Sequence, residues 1–238
     1  MTALIEAKRE WYRLPDVAST YDAQRFGGTS GEYVNAREIA LTLSLLPQSM
    51  QVIADIACGT GRLLPGLRQR AQQVIGLDAS LAMLSEAGRK SSPGDREPLG
   101  LVQADAFQLP LPDASCDCLT SMRLLFHFDD PRPLLREFRR IARPGGRFVC
   151  DTSAWSPRTI VPVGRERWGA RVATIRSRRF AGLARSCGWQ VVERREAFLV
   201  SPYVYRRLPL PLAQALERLE HRAPGQMLCR VFWGLKAV

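Results

Sequence analysis

From residue 52 to residue 152 short apolar runs alternate with segments of helical period, and each run stops at turn-forming residues. Val52, Ile53 and Ile56 make the first run, V-I-G-L-D (74–78) the second and L-V-Q-A-D (101–105) the third; C-D-C-L-T-S (116–121) and R-F-V-C-D (147–151) follow. Continuous apolar runs of this length are the pattern of strands covered on both faces. Their alternation with helices predicts right-handed crossovers and a parallel sheet. Ahead of them, residues 2–46 read as helices broken at Pro15 and at Gly27, Gly28 and Gly31. Behind them, a connection over 153–175 carries Trp155 and Trp168, and 177–187 reads as a helix stopped by Gly188. Strands over 190–200 and 228–237 would close as a hairpin. The stretch between them, 201–226, is too long for a turn and reads as a helical lid insertion.

In an open parallel sheet, ligands bind outside the carboxyl ends of the strands. Chemistry-bearing residues collect there. Gly59 and Gly61 follow the first run, where a chain without Cβ atoms can turn tightly and approach a ligand. A pyrophosphate-binding loop would place a third glycine at 64, but Leu64 stands there. Asp55, inside the strand end, would aim a carboxylate at the turn's amides or at a ligand amine. Asp78 and Asp105 end the second and third runs, and Ser80 is placed to cap the next helix.

The order D-x-x-C-G-T-G, V-I-G-L-D-A-S-L-A-M-L, L-V-Q-A-D-A-F, C-D-C-L-T-S-M-R-L-L-F-H-F-D-D-P and R-P-G-G-R-F-V-C-D over residues 52–151 resembles the class I S-adenosylmethionine-dependent methyltransferases, in their ubiquinone/menaquinone-methyltransferase-like (type 11) branch. The resemblance implies an α/β Rossmann-like, doubly wound and mostly parallel seven-stranded sheet with an antiparallel last strand. It also implies one domain over 1–238, with a helical cap (1–46), a cofactor-binding core (52–152) and the lid (201–226). The implied cofactor is S-adenosylmethionine. Its site would comprise Asp55, Ala57, Cys58, Gly59 and Gly61; Asp78 on the ribose hydroxyls, with Ala79; Met83 near the adenine; Asp105 receiving the adenine amino group, with Ala106; and Met122 near the transferred methyl. V-A-x-x-Y-D-x-x-R-F (17–26) is similar to a piece of the family's cap, making Tyr21 and Arg25 candidate substrate residues.

Methyl transfer from a sulfonium needs alignment and exclusion of water more than a metal or a covalent intermediate. His127, just past the fourth run, is the candidate base for an acceptor that must lose a proton, or else an anchor for loop or substrate. His221, flanked by Glu220 and Arg222, is expected at the surface. Tyr12, Tyr21 and Trp155 could face a sulfonium through their rings. Arg123, Tyr203 and Arg206 complete the substrate candidates, Arg206 as a clamp for a carboxylate or phosphate or as part of a solvated face.

Composition changes the picture in two ways. The net charge of +11 is lopsided, −3 over residues 1–122 and +14 over 123–238, and 31 of the 34 basic residues are arginine. A basic later half attracts an acidic small molecule, an anionic surface or nucleic acid. The function expected is methyl transfer to a small-molecule acceptor, acidic, phenolic or lipid- or quinone-like; the alternative is an RNA or protein methyltransferase, and a third reading is an S-adenosylmethionine-binding protein with another role. Six cysteines without a C-x-x-C pair indicate reduced, buried thiols, and with neither a long apolar stretch nor an apolar leader a cytoplasmic protein is expected.

Overall fold

The computed structural model describes residues 10–90, 99–155 and 172–238. Among them, seven strands form one sheet: β1 (Met50–Ile56), β2 (Ala71–Asp78), β3 (Leu99–Gln103), β4 (Cys116–Ser121), β5 (Ala142–Ser153), β6 (Trp189–Ala197) and β7 (Arg230–Ala237). Their order is β3-β2-β1-β4-β5-β7-β6. The pairs from β3 to β5 are parallel, while β7 runs antiparallel to both β5 and β6. The expected doubly wound, seven-stranded sheet with an antiparallel last strand is therefore the fold. The winding reverses between β1 and β4, where Asp55 stands in register with Gly76 on one side and Thr120 on the other. That switch point opens a crevice beyond the strands' carboxyl ends.

Side chains of the central strands alternate between two apolar layers, as a sheet covered on both faces requires. On β5, Phe148 and Cys150 enter one layer and Val149 the other; on β7, Trp233 and Phe232 divide the same way. Helices α1 (Pro15–Phe26), α2 (Thr29–Ser44), α3 (Leu64–Arg68), α4 (Leu81–Arg89), α5 (Arg132–Ile141) and α6 (Ser177–Ser186) surround the sheet. Fully burying a side chain such as Phe138 or Phe148 contributes roughly 1.5–3 kcal/mol. Ser80 caps α4 as expected, its hydroxyl accepting from the Met83 amide at 3.2 Å. Past α6 the chain turns through Gly188 at φ 81°.

The segment after β6 folds into α7 (Pro202–Tyr205) and α8 (Leu210–Glu220). It is tied to the first two helices. Ser30 donates to the Leu208 carbonyl at 2.7 Å, Arg206 donates to the Gln24 carbonyl, and Arg37 pairs with Glu217 at 3.0 Å and with Glu220. The beginning of the first expected helix, and Trp168 with its neighbouring arginines, lie outside the described residues.

Candidate cofactor and acceptor site

The turn after β1 is left-handed at Ala57, Gly59 and Gly61, with φ of 58°, 56° and 76°. Its amides do not go to Asp55. The Gly59 amide donates to Asp78 Oδ2 and the Ser80 amide to Asp78 Oδ1, each at 2.8 Å, so the acid ending β2 locks the turn beside it. Asp55 instead accepts from the Thr120 hydroxyl across the switch point at 2.7 Å. Gly61 serves packing: a Cβ there would stand 2.9 Å from both Ala87 Cβ and Leu64 Cδ1, so the missing side chain lets α4 close on the turn. At Gly59 a Cβ would meet nothing within 4 Å, and this glycine faces the crevice.

A cavity of about 180 Å³ fills the crevice. Its wall brings together most of the expected cofactor residues: Asp55, Ala57, Cys58 and Gly59 from the first turn, Asp78, Ala79 and Met83 from the second, then Ala106 and Met122. Gly61 is not among them. Neither is Asp105, although both its neighbours are. Its Oδ1 accepts the Phe107 amide at 3.0 Å, folding the chain back after β3, and the apolar wall there comes from Ala104, Ala106 and Phe107. Burial pushes the Asp55 carboxyl up to about 7, against the opposing pull of the Thr120 hydrogen bond and of Arg62. Asp78 is likewise raised by burial, with the Ser80 and Gly59 amides working against the shift.

A smaller chamber of about 50 Å³ adjoins the first. Tyr12, Tyr21, Arg123 and His127 line both and form the junction between them. Of the expected substrate residues, Tyr21, Arg25, Arg123, Trp155 and Tyr203 meet here; Arg25 and Arg123 both donate to the Tyr203 hydroxyl, the latter at 3.3 Å. Arg206 departs from its expected place. Its guanidinium reaches the Gln24 carbonyl and lies 5.7 Å from the centre of the Tyr203 ring, clasping α1 from outside the chamber. His127 lies half-buried on a 3-10 turn (Leu125–His127), its ring 4.8 Å from that of Phe126, while His221 is exposed as expected. Arg123 takes a left-handed φ of 62°, its amide donating to Asp151 Oδ1 at 2.6 Å. Such strain needs surrounding contacts to hold it and concentrates at functional sites.

Behind the chamber lies a charge network that sequence reasoning did not anticipate. Glu38, 1% exposed, sits 3.2 Å from Arg123, 3.4 Å from Arg62 and 4.0 Å from Arg230, and Arg230 also pairs with buried Asp151. Burial pushes the Glu38 carboxyl up, but Arg123, Arg230 and Arg62 outweigh it and hold the group at about 2. One signal was available. Val34, Glu38 and Thr42 share the four-residue stripe that α2 buries, and an acid in such a stripe must have partners.

A family described as "Methyltransferase domain" matches residues 54–150. This segment carries the glycine turn, Asp55, Asp78 and the strand-four exit just described. The chain belongs to the class I S-adenosylmethionine-dependent methyltransferases. Among relatives of this chain, a demethylmenaquinone methyltransferase of Corynebacterium kroppenstedtii is 33% identical over 164 residues, 68% of this chain and 66% of that protein. One of the same name from Clavibacter sepedonicus is 34% identical over 135 residues, 57% and 54% of the two chains. Across the curated relatives it matches, the aligned segments span between 31% and 66% of the relatives' length. A solved geranyl diphosphate methyltransferase in complex with S-adenosylmethionine superposes with a TM-score of 0.67 at 16% identity, covering 92% of this chain and 91% of that one, a likeness of fold.

Proposed function

We propose that this chain transfers a methyl group from S-adenosylmethionine to a small-molecule acceptor held in the adjoining chamber. The observation that carries the reading is the pairing of a buried carboxylate, Asp55, with a half-buried one, Asp78, on opposite sides of a glycine turn in one cavity. The residues suit the cofactor. Each Asp78 oxygen takes one amide, which leaves acceptor capacity for a ribose diol. Asp55 is a buried acid with one hydroxyl donor, a setting that a ligand ammonium would complete. Met83, Ala106 and Phe107 offer an apolar wall suited to a flat base. When bound, the cofactor supplies a methyl carbon already activated by its sulfonium.

The chain's own residues then bind, align and exclude water. Tyr12 and Tyr21 put aromatic rings at the junction, where a cation is attracted to their faces. His127, also at the junction, is placed to orient the acceptor and to take its proton if it has one. Helix α1 and α7, joined through Arg25 and Tyr203, cover the chamber as cap and lid.

The RNA or protein alternative is not favoured, because much of the basic half is paired or interior. Arg123 and Arg230 are internal, and Arg132, Arg140, Arg143, Arg194 and Arg195 each pair with a carboxylate. Calorimetry tests the cofactor assignment. Wild type should bind S-adenosylmethionine, and Asp78→Ala, with its fold checked by circular dichroism, should bind at least about tenfold more weakly for loss of the diol contacts. No binding by wild type at millimolar cofactor would remove the reading.

A further inference from the structure

We propose that the second chamber is a carboxylate-binding site, and that the methyl acceptor is a small organic acid anchored there by Arg123 and Arg230, with its reactive atom directed to the junction at His127. The acceptor's role rests on the methyl-transfer reading; the anion site stands on its own observations.

The first is charge. The chamber is lined by Arg25, Arg123 and Arg230, and no carboxylate lines it among the described residues. The acids that balance these cations, Glu38 and Asp151, lie behind the wall at 1% and 0% exposure. They serve Arg62, Arg123 and Arg230 together, so this buried network holds three guanidiniums and two carboxylates. It is one positive charge in excess. Burying an unbalanced charge costs several kcal/mol after relaxation, and a monoanion in the chamber offsets that cost.

The second observation concerns donors. Arg230 is 5% exposed; its Nη2 is taken up by the ion pair with Asp151, while its Nε is buried without a hydrogen-bond acceptor among the described residues. Desolvation pushes this guanidinium down to about 9, the direction that a nearby anion would reverse. The third is preorganisation. Arg123 is fixed at both ends, by its amide on Asp151 and its guanidinium on Glu38 and the Tyr203 hydroxyl. A guanidinium held this way meets a planar carboxylate with little loss of side-chain freedom. The chamber's small volume, beside a larger apolar cavity, suits an anchor group rather than the bulk of a ligand.

The full chain, with and without S-adenosylhomocysteine, would be titrated calorimetrically with benzoate, benzamide and phenyl phosphate. Benzoate should bind at least about tenfold more tightly than its neutral isostere, the scale of a charge-assisted pair of hydrogen bonds. Arg123→Gln, with its fold checked by circular dichroism, should erase that preference. Should that variant fail to fold, Arg25→Gln, on the cap side of the same chamber, should reduce it severalfold. Equal binding of benzoate and benzamide by wild type would overturn the proposal, as would a preference surviving in a folded Arg123→Gln variant. Tighter binding of phenyl phosphate than of benzoate would also overturn it. Selective benzoate binding without any S-adenosylhomocysteine binding would support the anion site and sink the methyl-transfer reading, so the two fail separately.

Discussion

At the scale of single residues, the site is a set of acids whose neighbours decide their roles. Asp55 and Asp78 are both strand-end aspartates, yet Asp78 accepts two amides and Asp55 a single hydroxyl. Burial with so little compensation raises Asp55 from an ordinary 3.8 to about 7. The folded chain therefore keeps a proton that the unfolded chain releases near pH 4. Stability from this group falls as pH rises between those values, and the loss is complete above about 7. Without cofactor, Asp55→Asn should remove that dependence, giving a smaller drop in melting temperature between pH 5 and 8 than wild type. Cofactor binding should show the opposite trend. An ammonium needs the ionised carboxylate, so affinity should rise about tenfold from pH 6 to pH 8 as Asp55 ionises, and calorimetry on Asp55→Asn should show no such rise. Asp105 teaches the converse lesson. Its place at a run's end was legible, but that its Oδ1 would close a turn onto the Phe107 amide was not, because a strand-end aspartate looks the same in sequence whether it closes a turn or faces a ligand.

At the scale of elements, the five central strands and their turns were legible because burial on both faces imposes continuous apolar runs and glycine marks where they stop. The two glycines of the first turn have different jobs that their spacing does not separate. Gly61→Ala would drive a methyl into Ala87 and Leu64 in a left-handed backbone, and should cost about 1–3 kcal/mol in chemical denaturation. Gly182, inside α6 with nothing within 4 Å of a Cβ, should behave oppositely: Gly182→Ala should add roughly 0.5–1 kcal/mol through helix propensity. The helices of 201–226 were legible as helices only. Their docking on α1 and α2 rests on long-range partners such as Ser30 with the Leu208 carbonyl, which no local period announces.

At the scale of the whole molecule, cap and lid are held together by buried polar pairs between distant parts of the chain. Arg37 meets Glu217 and Glu220 across some 180 residues, and Glu220 also accepts from the Tyr205 hydroxyl. Arg37→Ala leaves a nearly buried carboxylate without its cation and should cost about 3 kcal/mol. Hydrogen exchange should locate the loosening in α7 and α8 ahead of β1 and β4, since the sheet has its own apolar layers. The sequence by itself determined the parallel strands, the glycine turn and the acids at its rim, since period, breakers and spacing are local properties that burial writes directly into a chain; the doubly wound order was legible only through the resemblance of its motifs to a known family. Only the tertiary structure decided where the arginines go. Charge count shows a basic half, but whether a guanidinium faces water, a carboxylate or a cavity depends on which distant acid the fold brings beside it. Glu38 and Asp151 draw Arg123 and Arg230 inward, while Gln24 holds Arg206 at the outside.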